Sequence, residues 1–464
     1  MTVARHLHDR GPGALAAAAL AILVLRAPDA SAGSVDVVAQ EAAQALGQAP
    51  SSSLVVAAPL ASDQGAPRGE DLALRIAALV AGKLGAGARA NPQTAQLGTA
   101  RALAGRASAL VFVQTEVARG DLRTTIDVYP SMSNAWDRIR NPLPSPTGHA
   151  FATTKIDAET RAFLAPLVLE QASLHRARHD EGEVLAVGCG DVDGDGGEEI
   201  ALVSRTRVAM GRVKGGKFVV EHAAPWTALA GRAGVPMREP LAGVVVGPGA
   251  VHVGTTDRAS VVLTPDFVGH APLAGLPAPG GDGPVCLTAE PSAGAFDGAP
   301  FDCTPARDVH PKLAVPAPRF DAFAATRVVD VAGLAHPIVV LREPGGRLRI
   351  QAGDVLASPD GTFGAQLAVL DIDQDGVPDV ATSTEGGEDA VNVWTWPGPG
   401  PELRGRLHLA APGGVRALAA CPPEQNGQPV LVAVVGNEVW LVRAGIRGTS
   451  TASGEGTSGK RATP

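Results

Sequence analysis

The chain has 464 residues, 45% hydrophobic and 19% charged, which excludes wholesale disorder and gives length enough for two or more domains. A formal charge of −8 and aromatics at 3% argue against a dedicated nucleic-acid binder and against stacking platforms for bases or sugars. Gly 56 and Pro 38 favour turn-rich β structure over a long helical bundle.

The first predicted element is an address. Arg5 and Arg10 precede an apolar run from Ala14 to Leu25, and Ala30, Ser31 and Ala32 form a small-x-small cleavage site before Gly33. The run is short for a bilayer span, no Cys stands at the cleavage site after it, and no later stretch reads as a transmembrane helix. Residues 1–32 are therefore expected to be a signal peptide and the protein to be exported, periplasmic or secreted; an uncleaved anchor is the alternative. Export permits disulfides among Cys189, Cys286, Cys303 and Cys421. Cys286 with Cys303 would close a short loop and leave Cys189 with Cys421, but spacing alone leaves the pairing open, four buried thiols included.

Residues 34–176 alternate helix and strand signals and predict a small α/β domain. Val35 to Leu46 reads as a helix and Leu54 to Ala58 as a strand. Gly69 to Leu84 is an amphipathic helix, with Leu72, Ile76, Leu79, Val80 and Leu84 on one face and Glu70 and Asp71 at its positive end. Thr94 to Leu103 is a further helix. Ala109 to Val113 is a strand entering a hairpin that turns at Arg119, Gly120 and Asp121 and returns through Leu122 to Val128. Asp157 to His175 reads as a closing helix with Phe163, Leu164, Leu167 and Leu169 apolar. Residues 177–183 read as a linker. His175 and His179 fall i, i+4 there beside acids, a metal pair in one reading and a solvated linker in the other.

Residues 184–444 hold short β runs separated by Gly, Pro and Asp, the texture of a sandwich, barrel or propeller. An internal repeat decides among these. The string DVDGDGGEEI starting at Asp191 returns as DIDQDGVPDV starting at Asp371, each between an apolar run and a β run. Weaker copies start at Val328 and Pro422, 43 and 51 residues from the copy at 371. Further units fit at Ala242–Leu263 and Pro284–Thr304. About six units of this size are typical of propeller blades. Residues 445–464, rich in Gly, Ser and Thr, read as a disordered tail.

The two strong loops read as calcium sites. Asp191, Asp193 and Asp195, and Asp371, Asp373 and Asp375, bring three hard carboxylates into each tight loop. Gly196 and Gly376 permit the turn, Gly197 and Val377 offer a carbonyl, and Glu199 and Asp379 supply the last acid. Where an EF-hand places its bidentate Glu stand Leu202 and Thr382, so these are not EF-hands. Solvated Asp-Gly turns are the alternative, against which the mutual repulsion of packed carboxylates weighs.

These loops resemble FG-GAP/VCBS repeats, the calcium-loop repeats of integrin-like β-propellers, over roughly residues 184–444. The resemblance implies Ca²⁺ as cofactor, held within a blade by Asp191, Asp193, Asp195, Glu199, Asp371, Asp373, Asp375 and Asp379. Glu199 replaces the usual Asp, with Glu198 competing for its role. It also implies that the last blade, near Val439–Val442, closes against the first, which would bring Cys189 and Cys421 together. The order of signal peptide, α/β domain and six-bladed propeller is similar to that of the periplasmic TolB family, whose N-terminal fold also occurs in curli-secretion and lipoprotein-activator proteins. The expected fold class is thus a small N-terminal α/β domain followed by a roughly six-bladed β-propeller.

No metalloprotease, nucleophile-elbow, dinucleotide or phosphate-loop motif occurs. The tripeptide Arg119, Gly120, Asp121 is an adhesion motif or an ordinary turn. Trp394 and Trp396 share a strand face, either lining a binding surface or packing between blades. The expected function is a non-catalytic envelope or secreted scaffold that binds protein partners and not nucleic acid. A propeller hydrolase or lyase with a central-channel site, and an adhesin or carbohydrate binder, are the alternatives.

Overall fold

The computed structural model describes residues 33–47, 52–63, 65–105, 107–131, 136, 139, 144–230, 239–290, 294–304, 311–330, 334–384, 388–421 and 428–446. The signal segment, most of the loop copy starting at Pro422 and nearly all of the tail lie outside the described residues.

The N-terminal part is a mixed sheet with helices on both faces. Its strands are β1 (Ser53–Ala57), β2 (Ala61–Ser62), β3 (Ala88–Ala90), β4 (Ala109–Ala118), β5 (Asp121–Pro130) and β6 (Gly148–Lys155), in the order β3-β1-β4-β5-β6 with β2 beside β4. Alternation along β4 serves both faces. Val111 and Val113 pack with α1 (Ser34–Leu46) and α2 (Gly69–Leu84), through Val35, Val38, Leu72, Ile76 and Val80. Leu110 and Phe112 face α3 (Leu97–Leu103). The first turn of α1 has no cap of its own. Its Ser34 and Val35 amides donate instead to Asp157 Oδ2 at 2.7 Å and Glu159 Oε2 at 3.3 Å. The β4–β5 turn has Arg119 at φ 53° and Gly120 at φ 77°, as a two-residue hairpin turn requires. Asp121 is held by Arg123 and Lys155, at 3.1 and 3.0 Å.

The expected closing helix at 157–175 does not form. Only a single turn, α4 (Ala158–Arg161), is helical, capped by Asp157 Oδ1 on the Thr160 amide at 3.0 Å. Leu167–Arg178 is a strand, β7, paired antiparallel with Glu438–Ile446 from Leu167↔Ile446 to Arg178↔Glu438. The apolar positions 163, 164, 167 and 169 suit either period, and the ladder offered by residues 438–446 overrides the local helical reading. His175 is therefore an exposed strand residue. His179 is buried, its amide donating to the Asn437 carbonyl at 3.0 Å, so the two are no metal pair. Over residues 177–183, Arg178 ends the strand and Glu181 is buried on Arg207 at 2.7 Å, while positions 178, 180, 182 and 183 are exposed.

The rest is a β-propeller. An eight-stranded sheet contains 415–421, 430–435, 438–446 and β7, then β11 (Lys217–Pro225), β10 (Arg207–Lys214), β9 (Glu199–Ser204) and β8 (Val184–Gly190). Its two halves meet at one parallel pair, Lys217↔Arg178. Four four-stranded antiparallel sheets span 242–272, 276–320, 322–357 and 367–410. Apolar layers fill the space between neighbouring sheets. Gly190 lets β8 approach the next sheet, since a Cβ there would lie 2.8 Å from the Val246 carbonyl oxygen. Cys189 and Cys421 are bonded, Cα atoms 5.4 Å apart, joining β8 to strand 415–421, and Cys286 is bonded to Cys303. Among the described residues no helix is long and apolar enough to cross a membrane.

Candidate metal centres

Each strong loop joins the innermost two strands of its sheet, β8 to β9 and 367–370 to 379–382. Backbone amides orient the carboxylates in the same frame at both. Asp191 Oδ2 accepts from the Gly196 amide and Asp371 Oδ2 from the Gly376 amide, both at 2.9 Å. Asp195 Oδ1 takes the Gly197 amide at 2.6 Å and Asp375 Oδ1 the Val377 amide at 2.8 Å. Glu199 Oε2 takes the Val192 amide at 2.8 Å and Asp379 Oδ2 the Ile372 amide at 3.0 Å. Gly196 at φ 79° and Gly376 at φ 83° occupy the left-handed turn position that the sequence assigns them.

The frame converges three acids in each loop. Oxygens of Asp191, Asp193 and Glu199 lie within 4.8 Å of one another, as do those of Asp371, Asp373 and Asp379. Asp195 and Asp375 stand outside these triads and hold the loop's backbone. A third grouping, Cys189, Glu198 and Cys421, contains the bonded cysteines and offers no thiolate. Of the weaker copies, the one at 328 keeps Asp330, whose Oδ1 accepts the Leu334 amide at 2.9 Å and whose Oδ2 is 3.0 Å from His336 Nε2.

The donors fit a hard divalent cation such as Ca²⁺: every side chain in the triads offers carboxylate oxygen. Among the triad acids, a sharper observation singles out Asp373. Asp373 is 3% exposed and its Oδ1 is buried without a hydrogen-bond partner, an arrangement that costs free energy unless a ligand satisfies it. Burial, reinforced by the neighbouring acids, holds the Asp371 and Asp379 carboxyls well above the usual carboxylate range. Burial likewise pushes Asp373 up to about 6. In the loop at 191 the position-5 acid moves the other way: the Gly197 amide and Arg212 lower Asp195.

Cationic partners reach both loops from other strands. Arg212 on β10 contacts Asp193 at 3.3 Å, Asp195 at 2.9 Å and Glu199. Arg406 on strand 404–410 reaches Asp373 at 3.0 Å and Glu170 of β7 at 2.6 Å. The loop at 371 also touches the N-terminal part. Gln374 Nε2 donates to the Ile156 carbonyl at 3.4 Å, and Arg161 Nε donates to Gln374 Oε1 at 3.0 Å. Burial lowers the Arg161 pKa to about 10 although Asp371 and Asp63 oppose it. None of these four residues stands in the loop motif as an acid ligand. Hairpin pairing of β9 with β10 could have flagged Arg212, whereas Arg406 reaches Glu170 on a strand that local periodicity reads as helix.

Ile156, Asp157, Ala158 and Gln374 line one part of a central cavity of about 960 Å³, otherwise walled by the innermost strands of the sheets. Trp394 and Trp396 lie in the layer between the sheets at 322–357 and 367–410, with Trp396 buried and Trp394 edge-on to Phe363.

An FG-GAP repeat matches residues 363–396, which hold the loop at 371. No curated protein matches the chain. Among solved structures, TolB from Acinetobacter baumannii is similar at 11% identity, over 86% of this chain and 97% of that one, with a TM-score of 0.31. The Cps50 (Swd1) β-propeller domain from Myceliophthora thermophila is similar at 9% identity, over 71% and 94%, with a TM-score of 0.33. A DUF4623 family protein from Bacteroides eggerthii is similar at 10% identity, over 70% and 83%, with a TM-score of 0.36. These likenesses lie below the level at which function transfers.

Proposed function

We propose that the protein is an exported, calcium-stiffened β-propeller that works as a non-catalytic scaffold for protein partners in the cell envelope or outside the cell. The observation that carries this reading is the buried, unpartnered Oδ1 of Asp373 inside a triad of carboxylate oxygens within the FG-GAP repeat. Bound Ca²⁺ would supply charge neutralisation and a fixed crosslink between the loop's carboxylates. Asp371, Asp373 and Asp379 would hold it, as would Asp191, Asp193 and Glu199 in the other loop. The two disulfides support an oxidising compartment. The burial of Trp396 and the engagement of Asp121 by Arg123 and Lys155 favour a scaffold over an adhesin or sugar binder.

In this reading the eight-stranded sheet counts as two blades, one of them completed by β7, so the propeller has six. The N-terminal α/β domain, with its own core around α1 and α2, ends near residue 164, ahead of β7. Thermal unfolding with Ca²⁺ and with chelator tests the reading. Ligand at about a hundredfold its Kd adds about 2.7 kcal/mol of stability. Calcium is expected to raise the Tm of the wild type and to leave the Asp191→Ala/Asp371→Ala variant unmoved. A wild type indifferent to calcium refutes the calcium part and returns the loops to solvated turns.

A further inference from the structure

We propose that the two loops are not equivalent: the loop at 371–379 is the tight divalent-cation site, while the loop at 191–199 is closed by Arg212, whose guanidinium holds the acids a metal would need. The inference rests on the calcium reading above and sharpens it.

The difference originates in strand register. β10 pairs with β9 through Gly211↔Ile200, which sets Arg212 opposite Glu199. In the sheet at 367–410 the residue opposite the corresponding acid, Asp379, is Thr395. Arg212 donates from Nε to Glu199 Oε1 at 2.6 Å, and its Nη2 also reaches Glu199, Asp193 Oδ2 at 3.3 Å and Asp195 Oδ2 at 2.9 Å. One guanidinium therefore engages three of the four motif acids, Asp193, Asp195 and Glu199. Fork-shaped, charge-assisted contacts of this kind are the strong ones. A cation entering there must first displace them.

The other loop lacks this plug. Thr395 gives Asp379 a neutral hydroxyl donor. Arg406 comes from the outer strand, spends two contacts on Glu170, and meets one loop acid, Asp373, through Oδ2. Oδ1 of Asp373, a member of the triad, is buried and keeps no partner. A triad with an unfilled acceptor calls for a cation; a triad whose acids are already bridged does not. The 191 loop's own unfilled acceptor, Glu198 Oε1, groups with the bonded Cys189 and Cys421 and stands outside its triad.

The reciprocal exchange tests this. Calcium stoichiometry is read by titration calorimetry on the full chain, with terbium luminescence as a second probe. The wild type is expected to bind one ion tightly. Arg212→Thr is expected to gain a second site, with affinity at the 191 loop rising about tenfold or more, the scale of one charged hydrogen bond removed. Asp373→Asn is expected to lose the tight site and Asp193→Asn to keep it. Thr395→Arg is expected to close the 371 loop, and Asp373→Asn reports on the same site should Thr395→Arg not fold. Two equal sites in the wild type overturn the inequivalence, and loss of the tight site in Asp193→Asn alone overturns its assignment to the 371 loop; either leaves the calcium reading standing. No binding by the wild type and by Arg212→Thr overturns both.

Discussion

Gln374 sits at φ 54°, where its counterpart in the other loop is Gly194 at φ 78°. A left-handed non-glycine residue costs on the order of 1 kcal/mol. Here the side chain offsets that cost by bridging the Ile156 carbonyl and the buried Arg161. Gln374→Gly relieves the backbone but strips a buried cation of an acceptor, so it is expected to lower stability by about 1–3 kcal/mol. Gln374→Ala keeps the strain as well and should be worse by about 1 kcal/mol. Denaturant titration checks the order, and a Gln374→Gly protein more stable than wild type would refute it. At this scale the motif's acids and glycines were legible, because loop chemistry is local. Arg161, Arg212 and Arg406 were not, because each approaches from a segment outside the loop.

The loop at 371–379 is an element whose stability depends on protons. Burial raises the Asp371, Asp373 and Asp379 carboxyls in the folded chain above their unfolded values. The folded state then binds protons more tightly than the unfolded one, so this loop's contribution is full below the ordinary carboxylate range. It is lost as pH rises through the folded values, Asp373 titrating near about 6. A bound cation would replace those protons. The gap between Tm with calcium and Tm with chelator is therefore expected to widen from about pH 5 to about pH 7.5, and to narrow in Asp373→Asn. A gap that shrinks with rising pH would sink the argument. Element by element, the helix at 69–84 was readable from its apolar stripe to the residue, since one face decides it. Residues 167–178 were not, because their partner lies at 438–446 and nothing local announces it.

Closure organises the whole molecule. The repeat spacing announced a propeller, since each unit buries its faces only against neighbours. That the segment following the N-terminal part, β7, would pair with the chain's last strand was invisible in the repeat. The bridge between Cys189 and Cys421 spans 232 residues, against 17 for Cys286 and Cys303. A longer closed segment restricts the unfolded chain more. Replacing Cys189 and Cys421 by Ser is expected to cost about 2–5 kcal/mol, and more than the same change at Cys286 and Cys303. Equal losses in calorimetry would show that strand pairing alone secures the seam.

The ladder between β7 and 438–446 starts where Leu167 faces Ile446, so the way out to the N-terminal part and the way out to the tail lie side by side. Tension between a partner gripping the tail and one gripping the N-terminal part would meet that ladder end-on. Its hydrogen bonds would yield one after another, as in a zip, never all at once as in shear. The ring would peel open at low force from the outside inward and stop at the Cys189–Cys421 bond, which fastens the innermost strands. A protein built this way can give under strain at its rim and reseal, so long as its surroundings keep that bond oxidised.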